Sequence, residues 1–161
     1  ADAVLFALRC LRRRRAAALA GLTSIWLVGA RDEIEGREAL AGGFEALVVS
    51  AADSAPASAV EVVLIGPDLA ATRSTYYGGC HVHVSSFAVP LEAALGLAAT
   101  GASSLPALPL PQCVFCFNSG MGTLMWPVVG PWLPALPALL DLGKPLCLLS
   151  PSRLEARGEH E

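Results

Sequence analysis

Residues 59–65 read AVEVVLI and are followed at once by Gly66 and Pro67, and this stretch decides the fold class of the chain. Its apolar residues run together without strict alternation, a pattern typical of a strand that is covered on both faces. Glycine and proline then end the strand, because proline donates no backbone hydrogen bond and glycine accepts unusual backbone angles. The stretch therefore predicts a buried strand of a mainly parallel sheet.

Further short apolar runs predict more strands of the same sheet. They are residues 23–28 (TSIWLV), 44–50 (FEALVVS), 113–117 (CVFCF) and 146–149 (LCLL). Helix formers that follow acidic residues or a proline separate these runs and predict helices at 32–41, 90–99 and 131–142. Residues 68–75 are interpreted as a connector, and 76–84 as a turn followed by a short alternating strand. Alternating strands and helices predict an α/β, Rossmann-like domain, with a mainly parallel sheet and helices on both faces.

The composition of the chain indicates a folded protein and limits the classes of partner that it could bind. Its 161 residues suffice for one domain with a real core, and 54% of them are hydrophobic, which argues against disorder throughout. The formal net charge of -3 provides no global basic field, so we expect no bulk binding of nucleic acid. The five cysteines are an odd number in apolar surroundings, which indicates reduced thiols in an intracellular protein. Trp26, Trp126 and Trp132 are expected to anchor the core or an interface.

Two segments raise the questions of membrane and compartment. No charged residue lies between Glu92 and Asp141, but the best spanning candidate, residues 121–140, contains four prolines. Prolines would break a spanning helix, so we expect no membrane span. Residues 1–20 are rich in arginine and poor in acids, and they fit either an ordinary first helix or a transit segment. Mitochondrion, plastid and cytoplasm all stay open as the compartment.

The chain also carries three distinctive sequence blocks. They are IWLVGA at 25–30, VVLIGPD at 62–68, and FNSGMG at 117–122, which is followed by WLPALPALL and then GKP. In order and spacing the blocks resemble the C-terminal domain of mitochondrial splicing suppressor 51-like proteins, which are associated with MYND-type zinc fingers. With this resemblance the chain divides into an Arg-rich segment at 1–20, the family-like α/β domain at 21–157 and a charged tail at 158–161.

The resemblance implies a non-catalytic protein-interaction or adaptor domain with a link to mitochondrial gene expression. Its expected partner is another protein, and it implies no cofactor. A Cys/His-rich MYND finger would lie upstream of Ala1 or be absent. Two positions depart from the family pattern, because Ser119 stands where proline is expected and SPSR at 150–153 replaces a Thr/Tyr-containing stretch.

Three strand ends are candidates for binding a nucleotide or another small molecule. Gly29 and Gly66 each end a predicted strand, and Asn118, Gly120 and Gly122 follow another. Ligands of open parallel sheets bind at the carboxyl ends of strands, where glycines let a phosphate approach the backbone. Ordinary strand-to-helix turns are the alternative interpretation of these residues. A small-molecule or nucleotide-dependent, methyltransferase-like Rossmann enzyme therefore stays open as a second function.

Two groups of residues have side chains that bind metals elsewhere. Cys80, His81 and His83 combine a thiolate with two imidazoles, although no known ligand spacing supports a site and solvated histidines are the alternative. Cys113 and Cys116 have zinc-like spacing but no second pair of ligands. On a strand these two thiols would point to opposite faces, so we interpret them as buried core residues.

Overall fold

The computed structural model of the chain describes residues 24–41, 60–69, 73–77, 82–100, 108–117 and 130–149. These residues form a sheet of six strands in the spatial order β3-β4-β2-β1-β5-β6. The strands are β1 Ser24–Val28, β2 Val60–Ile65, β3 Arg73–Tyr77, β4 Val82–Phe87, β5 Cys113–Phe117 and β6 Leu146–Leu149.

Five of these strands are parallel, and β3 pairs antiparallel with β4 at one edge. The strand β1 lies at the centre, where Trp26 is level with Val63 of β2 and Val114 of β5. From β1 the chain builds outward through β2 to β4, and then crosses back to β5 and β6 on the other side. The strand order therefore reverses between β1 and β5, as in a doubly wound sheet. The predicted α/β class with a mainly parallel sheet is confirmed.

Helical segments cover both faces of the sheet, as the sequence predicts. A π-helical turn at Asp32–Gly36 continues as α1 (Arg37–Leu40), and Ala39 of α1 packs on one face. The opposite face is covered by α2 (Leu91–Thr100) and α3 (Leu136–Asp141).

The centre of the core is β1, whose five residues are all buried. Ile25 and Leu27 belong to the core on one face, and Trp26 and Val28 belong to the core on the other. Each such side chain contributes about 1.5–3 kcal/mol through burial. The buried Trp26 indole N–H donates to the carbonyl oxygen of Pro109 at 3.0 Å, so its polar atom is satisfied. Continuous burial on both faces explains why β1 shows no polar alternation.

The thiols of β5 point to opposite faces, which confirms their interpretation as core residues. Cys113 packs in the core on the α1 side and Cys116 in the core on the α2 side. Cys147 of β6 packs against the same core as Cys113. A hydrogen bond to Cys147 together with burial raises the pKa of the Cys113 thiol, and the same hydrogen bond lowers the pKa of Cys147.

The structure differs from the sequence predictions in the segment after β2. Residues 73–75 were predicted within a connector, yet they open β3, and β4 extends to Phe87. The strand β3 reads RSTYY and lies at the edge of the sheet that the described residues form, where β4 is its one neighbour, so it needs no apolar run to form.

The last predicted helix, at residues 131–142, is also shorter than expected. It begins as a 3-10 turn at Gly130–Trp132 and is α-helical only from Leu136 to Asp141, because successive prolines remove backbone donors. The predicted strand at 44–50 lies outside the described residues. Within the described residues, no helix has the length and apolar character needed to cross a membrane.

Candidate ligand-binding site

A cavity of about 320 Å³ lies at the carboxyl ends of the central strands. The ends of β1, β2 and β5 meet there with the start of α2 and the 3-10 turn. Its lining residues are 28–31, 65–68, 90–92, 117 and 131–132. Most of its walls are apolar, and its volume lies in the range of about 300–1,000 Å³ that is usual for small-molecule pockets. Ligands of doubly wound sheets bind in this position, beside the point where the strand order reverses.

One wall of the cavity is the turn that follows β2. The N–H of Leu69 donates to the carbonyl oxygen of Gly66 at 3.3 Å and closes a turn with Pro67 at its second position, where proline is favoured. A Cβ on Gly66 would overlap the carbonyl oxygen of Ala30. Glycine is thus required at this strand end by close packing against the neighbouring backbone.

The opposite wall is formed where β1 and β5 end. Gly29 has a φ of +77°, a conformation that other residues seldom adopt. A Cβ at this position would overlap the carbonyl oxygen of Phe117 and would lie 3.0 Å from Cζ2 of Trp132. The indole ring of Trp132 therefore lies directly over the Gly29 backbone. Because glycine leaves room for it, this ring forms part of the cavity wall.

The backbone donors that follow β1 are all engaged within the protein. The N–H groups of Gly29 and Ala30 both donate to the carbonyl oxygen of Ile65, at 2.9 and 3.1 Å. The next N–H, of Arg31, donates to Oε2 of Glu35 at 2.9 Å. In nucleotide-binding Rossmann folds the turn after the first strand offers such donors to a phosphate. Here the Glu35 carboxylate accepts the hydrogen bond of the third of these N–H groups, that of Arg31.

The Glu35 side chain is only 5% exposed, and its reach back to the start of the helix resembles half of a capping box. Replacing Glu35 with alanine is expected to cost about 1–2 kcal/mol in unfolding free energy, because the Arg31 N–H loses its acceptor. Glu35→Gln keeps an oxygen acceptor and should cost less. Urea denaturation measures both effects, with Glu33→Ala, an exposed glutamate of the same turn, as the control. Equal stability of Glu35→Ala and Glu33→Ala would contradict this role.

Three charged residues line the cavity: Arg31, Asp68 and Glu92. All three are exposed and therefore lie at its mouth. Asp68 lies in the turn after β2, and Glu92 lies in the first turn of α2. The lining thus combines an apolar interior with a mouth on which acids outnumber bases.

Gly29 and Gly66, which the sequence singled out separately, both line this one cavity. Asn118, Gly120 and Gly122 lie outside the described residues, although Phe117, which precedes them, lines the cavity. Whether these five positions bind a cofactor stays a prediction. For Gly29 and Gly66 the packing contacts above already require glycine.

His83 lies at the other end of its strand. It is four residues before Phe87, the last residue of β4, which places it about 13 Å from the carboxyl edge at the usual rise per residue. Its Nδ1 lies 3.6 Å from Oε1 of Glu61 on β2, and its Nε2 lies 3.4 Å from Oγ of Ser85. Cys80 and His81 lie outside the described residues. Among the residues that are described, no group of three or more His, Cys, Asp or Glu side chains could hold a metal ion.

Sequence reasoning missed the roles of Glu35 and Trp132. Glu35 stands among several acids at a helix start, where an exposed position is the ordinary expectation. Its contact with Arg31 is local, but its spacing of four residues is one longer than that of a capping box, so a search for that motif would not have found it. Trp132 and Gly29 are distant in the chain, so no local signal connects them.

Together these features define a doubly wound α/β domain with a partly apolar cavity at the carboxyl edge of its sheet. No protein-family model matches the chain, and searches of curated proteins and of solved structures also find no match. The resemblance to splicing suppressor 51-like proteins therefore stays a prediction.

Proposed function

We propose that this chain is a ligand-binding α/β domain that holds a small organic molecule in the cavity at the carboxyl edge of its sheet. The observation that carries the proposal is the cavity itself, with a volume of about 320 Å³ and a mostly apolar lining. Apolar walls with a few charged groups are the usual composition of small-molecule sites. The engaged donors after β1 favour a ligand without a phosphate in that turn.

A fragment screen followed by backbone amide NMR tests this proposal. A ligand is expected to produce saturable shifts of the amides of residues 29–31, 66, 68 and 91–92, which surround the cavity. Trp132→Leu should weaken binding about tenfold, a loss of about 1.4 kcal/mol, because it removes the aromatic wall. Leu133→Ala changes the adjacent residue, which is 40% exposed and outside the lining, and should leave the affinity unchanged. Absence of any saturable shift around the cavity would contradict the proposal.

The adaptor function implied by the family resemblance is the second candidate. Leu133 and Leu140 are 40% and 59% exposed, and their spacing of seven residues spans the C-terminal helical segment. Under this candidate the two leucines would contact the partner protein. Replacing both with serine should abolish partner capture under this candidate and should leave ligand binding in the cavity intact. The link to mitochondrial gene expression rests on the resemblance alone.

A further inference from the structure

We infer that the ligand of this cavity is a small organic cation, a protonated amine attached to an apolar or aromatic body. This inference rests on the proposed function, since it names the chemical class of the molecule that the cavity would hold. It follows from the hydrogen-bonding groups, the charges and the ring that line the cavity.

Seven of the residues that line the cavity offer no backbone N–H to a ligand, because the N–H is engaged within the protein or absent. Hydrogen bonds within the protein already engage the N–H groups of Gly29, Ala30 and Arg31. The N–H of Gly66 likewise donates to the carbonyl oxygen of Phe87 at 3.2 Å. Three further lining residues are prolines, at positions 67, 90 and 131, and have no N–H. An anionic ligand needs several hydrogen-bond donors on the protein, whereas an ammonium ligand carries hydrogen-bond donors itself. The lining is therefore suited to a ligand that donates hydrogen bonds.

The charges of the lining favour the same sign of ligand. Asp68 and Glu92 present two carboxylates at the mouth against the single guanidinium of Arg31. Glu35 adds a further carboxylate beside the cavity, on the backbone of Arg31. Because two carboxylates and one guanidinium lie at the mouth, and the buried Glu35 carboxylate lies behind Arg31, the local field attracts a positive ligand. An ammonium group can donate to Asp68 or Glu92, since carboxylates accept hydrogen bonds.

The start of α2 favours an anionic ligand rather than a cationic one. A helix N-terminus favours anions, and residues 90–92 line the cavity. Glu92 lies in this first turn, however, so the helix already carries a negative side chain that complements its dipole. Pro90 also contributes no N–H to the opening.

Trp132 provides the apolar side of the recognition. Its ring lies over Gly29 and lines the cavity, next to Phe117. Aromatic rings attract ammonium groups electrostatically and also pack against flat organic bodies. A cation with an apolar body can therefore contact the ring while its charge remains at the acidic mouth.

Three probes of the same carbon skeleton test the inference: 2-phenylethylamine, 2-phenylethanol and phenylacetate. Titration of each into the full chain, followed by backbone amide NMR, should show the amine binding at least about fivefold more tightly than the alcohol, with the acid weakest. Asp68→Asn and Glu92→Gln should each weaken binding of the amine about two- to fivefold and leave the alcohol unchanged, as expected for partly screened charges. Asp141→Asn, an exposed aspartate outside the lining, is the matched control and should change neither.

The outcomes separate this inference from the proposed function. If the alcohol or the acid binds at the cavity amides as tightly as the amine, the cavity is a ligand site and the cation inference is overturned. If amine binding is unchanged in both Asp68→Asn and Glu92→Gln, the inference is likewise overturned. If none of the three probes shifts these amides at millimolar concentration while other fragments do, the cation inference is overturned and the proposed ligand-binding function is kept. If no compound of any class shifts the cavity amides, both the cation inference and the proposed function are overturned.

Discussion

Gly66→Ala is expected to destabilise the domain by about 3 kcal/mol or more, the upper range for overpacking of a well-packed site. The added Cβ would overlap the carbonyl oxygen of Ala30, which is a backbone atom and cannot rotate away. That backbone is held in place, because the N–H of Ala30 donates to Ile65 in the neighbouring strand. Relief of the overlap therefore requires β1 and β2 to separate at their carboxyl ends.

Urea denaturation measures this effect, and Gly96→Ala is its matched control. A Cβ at Gly96, inside α2, would meet no atom within 4 Å. The control should stabilise the domain by about 0.5–1 kcal/mol, because alanine has the higher helix propensity. A Gly66→Ala protein as stable as the parent would show that the strand ends are not packed as described.

Gly29→Ala is expected to cost about 3–4 kcal/mol, through two separate effects. The φ of +77° penalises any side chain, and the new Cβ would also overlap the Phe117 carbonyl oxygen beside the Trp132 ring. The displaced ring would open the cavity wall, so ligand binding should weaken together with stability. Thermal and urea unfolding measure the first loss, and titration with a cavity ligand measures the second.

Gly143→Ala separates the two effects at Gly29. Gly143 has a φ of +61°, but a Cβ there would meet no atom within 4 Å. This control should therefore cost only about 1–2 kcal/mol, the penalty for the left-handed conformation. If both variants lose the same stability, the contact of Gly29 with Phe117 and Trp132 contributes nothing measurable.

The differing success of the strand predictions has a physical reason. β1, β2 and β5 are buried on both faces and have neighbours on both sides, so each requires a continuous apolar run that is visible in the sequence. β3 was missed because it is an edge strand of mixed polarity that forms by pairing with β4 alone. Its stability comes from a partner rather than from its own composition.

The cavity, too, could be predicted only in part from the sequence. The glycines after β1 and β2 were recognised as strand ends, and parallel strands bring their carboxyl ends to one edge. The sequence left open whether these glycines admit a ligand or form ordinary strand-to-helix turns, and the described contacts place backbone and an indole ring against them. Gly29 meets Trp132 across more than 100 residues of chain. No local pattern encodes a contact of that separation.

The α/β class, the positions of β1, β2 and β5, and the assignment of Cys113 and Cys116 to opposite faces could all be predicted from the amino-acid sequence. These properties follow from local periodicity, because burial on each face selects the residue type at each position. The strand order, the antiparallel β3 and the cavity at the ends of three strands became apparent only in the folded structure. Those features depend on which distant segments meet, and the meeting is set by packing of the whole core rather than by any one segment.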